Sequence, residues 1–499
     1  MGFGFSLTLH YLCTINMENL KEKTAKGLFW GALNSGSTQV LNVTIGILLG
    51  RMILPDEWAP IGMITIFSAI AGNLQSSGFS TAIVNMKAPT DNDYNAVFWF
   101  NILMGLAVYL LLFIAAPWIA LFFKQPCLTD LSRFVFLAIF ISSFGISTHA
   151  YMTKNMMNRE IAIINLCAIC CSGVVAVVMA FKGFSYWSLA CQQVVNSTVL
   201  VTGRFCFVKW RPSLKIDFSP IRRTWRFAMN ILLTMIINTV NSHIMNFIFG
   251  KLFTKTPEVV GTFFQAFKWN TMAWQMVGNS IEQVAQPVLV SVRDDKDETR
   301  EVRVFRKMLR FTALLSFPAM LGLSLVSNEF ILATIGPNWA DSVPILRVLC
   351  IGGASMPFYA LYKNLVISQG RSDINMWLNL SQIAIQIVLI LLTYRQGILT
   401  VVWAYSILNI TWLAAWQVCA RRLIGIRATD VLRDTMPFAV ISAAVMILTG
   451  LLTASVTNVY MLFVLRVIMA ACLYVATMKL LRVRIMDECL NFIGKKLRR

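Results

Sequence analysis

Thirty-three of the chain's 43 lysines and arginines fall in alternate gaps between long apolar segments, and only seven fall in the other gaps. Positive charge is retained on the cytoplasmic side during insertion, so this alternation gives a hydrophobic chain a definite transmembrane topology. The basic gaps hold Lys21, Lys23 and Lys26; Lys87; Lys154 and Arg159; seven cations within 204–226; seven within 293–310; Lys363 and Arg371; four within 421–433; and seven within 479–499. The opposite gaps hold Arg51, Lys124, Arg133, Lys182, Lys251, Lys255 and Arg395, while Lys268, Arg347 and Arg466 lie inside or near apolar segments. This reading makes the number of spans even and puts both termini in the cytoplasm.

Composition agrees: 57% of the residues are hydrophobic and 13% charged, with a mean hydropathy of +0.67, outside the range of soluble globular chains. Fourteen segments are apolar and long enough to cross roughly 30 Å of hydrocarbon: about 27–50, 58–83, 96–122, 133–152, 161–181, 184–208, 226–249, 259–290, 308–332, 342–367, 374–394, 397–419, 435–455 and 458–481. The expected fold is therefore an all-α polytopic membrane protein.

The net charge of +20 follows from topology and from anionic headgroups, and needs no nucleic-acid partner. Cys167, Cys170 and Cys171 sit mid-span among Ile, Val and Ala with no histidine nearby, and read as small packing residues rather than a metal or redox cluster. Residues 1–16 lack a basic n-region and a clear cleavage site; Met17, which opens a charged amphipathic stretch, is the expected start.

The expected organisation is a cytoplasmic lead-in at 1–26, an N-terminal six-helix bundle at 27–208, a basic linker at 209–225 and a second six-helix bundle at 226–420. A helix pair at 421–481 and a basic tail at 482–499 follow. Because six is even, the second bundle enters in the same orientation as the first, the plan of a parallel-repeat transporter. Every loop is short, about twenty residues at most, which leaves no room for a catalytic or nucleotide-binding domain, and no Walker A pattern occurs.

Polar residues in hydrocarbon must face protein or a wet cavity. On span eight, Lys268, Gln275, Asn279, Glu282 and Gln286 fall within an arc of about 60° at 100° per residue. Span seven repeats the idea with Asn230, Thr234, Asn238 and Asn241; Asn34, Thr38 and Asn42 line one face of span one, and Asn73, Ser76, Ser77 and Ser80 one face of span two. These stripes suit the wall of a hydrophilic central cavity, although helix–helix hydrogen bonding is the competing use of the same residues. Arg347 and Lys363 lie near opposite ends of span ten and can snorkel. Arg466 suits a lipid contact or a partner helix, and His243, off the stripe, reads as a packing histidine.

Within the first six spans no Asp or Glu lies in a membrane core. An anionic substrate meets no repulsion there, and a cation-coupled drug exporter would lack its buried acid. No paired-carboxylate or metal set exists for an enzyme. The Asp294, Asp295, Asp297 run lies in a basic loop and reads as solvated rather than metal-binding.

An ordered series of segments resembles the polysaccharide (O-antigen type) flippases of the multidrug/oligosaccharidyl-lipid/polysaccharide superfamily, in the branch typified by colanic-acid exporters. It comprises GLFWGALNSGSTQVLNVTIGILLGRMILPDEW (27–58), SSGFSTAIVNMKAPTDNDYNAVFWFNILMG (76–105), GFSYWSLACQQ (183–193) and KWRPSLKIDFS (209–219), followed by VRDDKDETREVRVFRKMLRFTALLSFPAMLGL (292–323) and IGPNWADSVPILRVL (335–349). The resemblance covers about 17–420. It implies two six-helix bundles around a central cavity with two further helices, and movement of polyprenyl-diphosphate-linked oligosaccharide from the inner to the outer leaflet of the bacterial cytoplasmic membrane.

On that reading Lys268, which follows Phe263, Phe264 and Phe267 where the family often carries a basic residue, contacts the diphosphate. Asn34, Asn73, Asn238, Asn241, Gln275 and Asn279 meet sugar hydroxyls. Glu282 lies about 20 Å from Lys268 along the helix, too far to pair with it, and is the candidate for coupling or gating. Met245-Asn246 stands where relatives often carry an acid. No cofactor or metal is expected, and whether protons, sodium or neither drive the step stays open. The expected partners are the lipid-linked substrate and membrane lipids, with a glycan polymerase and assembly proteins beyond them. Export of a small molecule or drug, or glycan polymerisation, are the alternatives.

Overall fold

The computed structural model describes Trp30 and residues 33–486, apart from 77, 87, 215–216, 294–297, 482 and 484. The lead-in at 1–26 with Met17, Ser77 of the span-two stripe, the Asp294–Asp297 run and most of the basic tail lie outside the described residues.

The described residues are helical throughout, without a β-strand. In chain order the helices are α1 (33–52), α2 (Pro55–Ser76), α3 (Phe79–Asn85), α4 (Asp91–Phe123), α5 (Leu128–Ser143), α6 (Ile146–Lys154), α7 (Asn158–Phe181), α8 (Tyr186–Phe207) and α9 (Ser219–Leu252). They continue as α10 (Pro257–Arg293), α11 (Glu298–Leu325), α12 (Ser327–Thr334), α13 (Ser342–Gly353), α14 (Met356–Ser368), α15 (Ser372–Thr393), α16 (Ile398–Ile424), α17 (Ala428–Leu452) and α18 (Val459–Leu480). Each of the fourteen expected spans falls on one of these helices or on a consecutive pair. Among the described residues nine spans are long and apolar enough to cross a membrane, or ten with the bent pair α5–α6.

Local chemistry sets the helix ends. Thr90 accepts from the Asp93 amide while the Asp93 carboxylate accepts from the Thr90 amide, a capping box that opens α4. Asn458 caps α18 by accepting from the amides of Tyr460 and Met461. Span four breaks at Phe144–Gly145, and its halves α5 and α6 meet at 45°.

Burial is inverted relative to a water-soluble protein. Asn101, Ser132, Ser143, Thr148, Gln265 and Thr312 are fully buried, while Leu111, Ile114, Trp118 and Leu121 of α4, and Val440, Ile447 and Leu451 of α17, stand exposed. Exposed Leu, Ile and Trp along whole helices, over an interior that holds buried amides and hydroxyls, suit hydrocarbon rather than water.

The chain divides into two compact units, residues 1–254 and 255–499. In the first, α7 pairs with α8, α4 with α5, α5 with α8, and α2 with α9. This differs from the expected division, which placed span seven at the head of the second bundle. The reason is a close approach of α9 to the α2–α3 turn. Gly78 there has φ +70°, and a Cβ on it would lie 2.4 Å from the Ala228 carbonyl oxygen, so a residue without a side chain is required. In the second unit α10 packs on α11, α13 and α14; α13 on α16; α15 on α16; and α11 on α17, which pairs with α18.

At the basic end of α11, buried Asp434 of α17 accepts from Arg306 Nε at 2.6 Å and Arg310 Nε at 2.8 Å. Asp434→Ala leaves two guanidinium groups without their acceptor. The variant is expected to lose about 2–3 kcal/mol of stability, read as a lowered Tm of the detergent-purified protein, with Asp434→Glu retaining more than half of the difference.

Candidate functional site

Two phases of burial run along α10. Its first half is packed nearly all round, with Phe263, Phe264, Gln265, Ala266, Trp269 and Asn270 buried. In its second half Ile281, Ala285 and Leu289 anchor it to the core, together with Leu361 and Leu365 of α14. Asn279, Glu282 and Gln286 are left exposed within the second unit and Gln275 half-buried, so the polar stripe read from the sequence is one continuous face of this helix. Lys268 is half-buried at the head of that stripe, its Nζ 5.8 Å from the Trp269 ring centroid, within cation–π range.

Glu282 and Lys363 are partners, which the sequence reading did not foresee. Lys363 of α14 reaches the Glu282 carboxylate at 2.5 Å, with 35% and 42% of the two side chains exposed. Helix α14 crosses α10 beside the stripe, so Lys363 extends toward an acid rather than toward a headgroup.

Arg466 is paired as well. Its Nη1 lies 2.8 Å from Glu329 Oε1 and its Nε donates to Thr453 Oγ1 at 3.0 Å. Of the two roles expected for Arg466, a partner helix is the one found, and α12 supplies the acid. Glu329 Oε2 is buried without a hydrogen-bond partner among the described residues. Arg466 also borders an apolar groove of about 630 Å³ lined by α11, α17 and α18 residues such as Pro318, Phe463, Ala470 and Tyr474.

In the first unit Asn73, expected to meet sugar hydroxyls, ties two helices. Its amide donates to Thr239 Oγ1 at 2.6 Å and to the Met235 carbonyl at 3.3 Å, joining α2 to α9. Asn34 Oδ1 faces Asn165 Nδ2 of α7 at 3.4 Å. Asn238 and Asn241 are half-buried on α9. His243 is half-buried, and its Nδ1 is enclosed without a partner among the described residues. Cys167, Cys170 and Cys171 are exposed on α7 rather than packed between helices, because that face of α7 is turned outward, with Val174 and Val178 exposed beside them.

Sequence reasoning missed two polar groups. Beside Lys268, Gln265 is fully buried with neither amide atom paired among the described residues, and Asn270 Oδ1 and Thr271 Oγ1 are likewise unpaired. They lie outside the stripe's arc, so the helical period that picks out the stripe does not pick them out. The second group, Gln75, Gln192, Gln193 and Asn196, lines an open cavity of about 520 Å³ among α1, α2, α5, α7 and α8, together with Asn42 of the span-one stripe. Adjacent amides at 192–193 within an apolar span were the available signal.

No group of three or more His, Cys, Asp or Glu side chains suited to a metal ion occurs among the described residues.

The two-unit, all-helical arrangement, with polar faces on its spanning helices, is that of a polytopic membrane protein of the same fold as a solved lipid II flippase. The structure of "Lipid II flippase MurJ, inward closed conformation" superposes with a TM-score of 0.72 at 14% identity, over 92% of this chain and 100% of that one. An inward-facing multidrug resistance MATE family transporter of the MOP superfamily superposes with a TM-score of 0.64 at 14% identity, over 78% and 94%. Residues 48–344 match the family of polysaccharide biosynthesis proteins, to which this chain belongs. Among its relatives, lipopolysaccharide biosynthesis protein WzxC of Escherichia coli (strain K12) is 25% identical over 72% of this chain and 73% of its own length. Teichuronic acid biosynthesis protein TuaB of Bacillus subtilis (strain 168) is 22% identical over 81% and 84%.

Asn73 is tied across helices, whereas Gln275 is half-buried on the polar face of α10. Asn73→Ala is expected to lower stability by about 1 kcal/mol through loss of the α2–α9 tie, whereas Gln275→Ala leaves the Tm unchanged and lowers transport. The check is a thermal melt and a flipping assay on both variants.

Proposed function

We propose that this protein is a flippase that moves polyprenyl-diphosphate-linked oligosaccharide across the bacterial cytoplasmic membrane for polysaccharide biosynthesis, by alternating access. The carrying observation is the exposed polar face of α10, headed by Lys268 and continued by Gln275, Asn279, Glu282 and Gln286. A cation followed by amides is the chemistry that a diphosphate joined to sugars requires. In a site of low dielectric, a charge-assisted hydrogen bond to phosphate is stronger than in water, and amides pair with hydroxyls as both donors and acceptors. The relatives' roles in lipopolysaccharide and teichuronic acid biosynthesis support a glycan cargo.

In this assignment Lys268 binds the diphosphate, Asn238, Asn241, Gln275 and Asn279 meet sugar hydroxyls, and the Glu282–Lys363 pair is the element whose opening gates the stripe. The basic gaps face the cytoplasm, with both termini there. The glycan is passed on to a polymerase and assembly proteins outside. The chain works as a transporter without chemistry of its own.

The test is the leaflet distribution of lipid-linked oligosaccharide in vesicles carrying the protein, with and without Lys268→Ala. Wild type is expected to move the substrate between leaflets. The alanine variant is expected to insert normally and lose transport by a factor of ten or more, a central cation being worth several kcal/mol at a desolvated phosphate. Wild-type transport with undiminished transport in the variant removes Lys268 from the site. An unchanged distribution with wild type overturns the flippase reading and brings small-solute export forward.

A further inference from the structure

The cavity inside the first unit is a different kind of site from the α10 stripe. Nine of its fourteen lining residues carry an amide or hydroxyl and none carries a charge. Its volume of about 520 Å³ falls within the roughly 300–1,000 Å³ of small-molecule sites. Five helices contribute. Asn42 is the tenth residue of α1 (33–52), Ser172 the fifteenth of the 24 in α7 and Asn196 the eleventh of the 22 in α8, while Gln75 near the end of α2 and Ser142 near the end of α5 lie where spans two and four continue into α3 and α6. The cavity therefore sits at mid-depth, where polar groups without partners are most expensive.

Part of the wall is built and held. Gln75 is 3% exposed; its Nε2 donates to the Ile139 carbonyl at 2.7 Å and its Oε1 accepts from Ser142 Oγ at 3.1 Å. Ile139 and Ser142 belong to the last turn of α5, immediately before the 45° break at Phe144–Gly145. Interrupted helices at mid-depth are where transporters place ligands, because the break turns backbone polar groups toward a cavity. Arg204 of α8 donates to the Gly145 carbonyl at 3.1 Å, so the break is fixed from behind and its cation lies outside the cavity wall.

The side chains of Asn42, Gln192 and Gln193 line the cavity, Asn42 exposed and the two glutamines half-buried, and the Ser68 hydroxyl is buried without a hydrogen-bond partner among the described residues. Asn196 has only a 3.4 Å contact with Ser172. Four amides and several hydroxyls, each able both to donate and to accept, match the vicinal hydroxyls of a pyranose ring. A bare cation fits less well, since no lining carboxylate balances its charge and the amide nitrogens would oppose it.

We propose that this cavity is a saccharide subsite that takes one uncharged sugar ring, with Gln192, Gln193, Asn196 and Asn42 as its hydroxyl-reading residues and Gln75 as the positioning residue. The inference rests on the flippase reading. The diphosphate is read by Lys268, and this subsite discriminates the glycan.

The test uses the full-length protein in lipid nanodiscs and a panel of methyl pyranosides, of gluco, galacto, manno and 2-acetamido configuration, as probes. Ser197→Cys places a thiol on the cavity wall, and its maleimide modification is read by peptide mass spectrometry. At least one glycoside is expected to slow labelling about threefold or more, with a configuration preference. Gln193→Leu/Asn196→Leu is expected to abolish that protection and to lower flipping of the native lipid-linked oligosaccharide about tenfold, the loss for two hydrogen bonds to a ligand. Should the double variant not insert, Gln193→Glu, which keeps the shape and removes a donor, is expected to shift the order of preference among the glycosides. Wild-type flipping without protection by any glycoside overturns the subsite and leaves the flippase reading standing. Protection by sodium chloride over choline chloride, with none by glycosides, overturns it in favour of a cation site. Glycoside protection without any flipping by wild type supports the subsite and overturns the flippase reading.

Discussion

Hydrocarbon offers no partner to a polar group, and this constraint shapes every part of the molecule. Backbone groups are satisfied within helices, and the ends that helices leave open are closed by side chains such as Thr90 with Asp93, and Asn458. Two pairs of side-chain charges lie inside the second unit: Arg466 with Glu329, and Lys363 with Glu282. Where an amide crosses between helices it finds a defined acceptor, as Asn73 does on α9 and Gln75 on α5. Against that background, the buried amides of Gln265 and Asn270 that lack a full set of partners among the described residues, and the amides of Gln192 and Gln193 that line the first unit's cavity, mark positions where stability was not the only requirement.

The two units carry different chemistry. The polar face of α10 mixes a cation, an acid with its lysine partner, and amides. The cavity of the first unit is neutral, and its wall is set by a break in span four that Gln75 and Arg204 hold in place. A diphosphate-linked glycan presents both kinds of surface, one strongly anionic and one uncharged and hydroxylated, so a protein that moves it has use for both.

Much of the fold was legible because membrane insertion reads local composition. Fourteen apolar segments were counted from the sequence, and helices occupy all of them. The α10 stripe was legible for the same reason: an amphipathic face is a matter of spacing within one helix. Contacts between helices were not legible. Asn73 and Gln275 have the same kind of side chain on the same kind of stripe, and only the packing around each makes Asn73 a tie and leaves Gln275 half-buried on an open face. Glu329 and Arg466 are 137 residues apart, and nothing local announces the pair. The cysteines of α7 resemble small packing residues until the outward rotation of that face is known.

The sequence by itself determined the class of protein, the positions of its spans and the polar faces along them, because hydrophobic length, helical period and cation placement act over one segment at a time. Only the tertiary structure decided which polar groups are spent on one another and which remain for a ligand. That distinction depends on the crossing of helices far apart in the chain: α9 over the Gly78 turn, α14 beside α10, and five helices closing on one neutral cavity. Hydrogen bonding is short-ranged and directional, so an ångström of helix placement settles what residue identity leaves open.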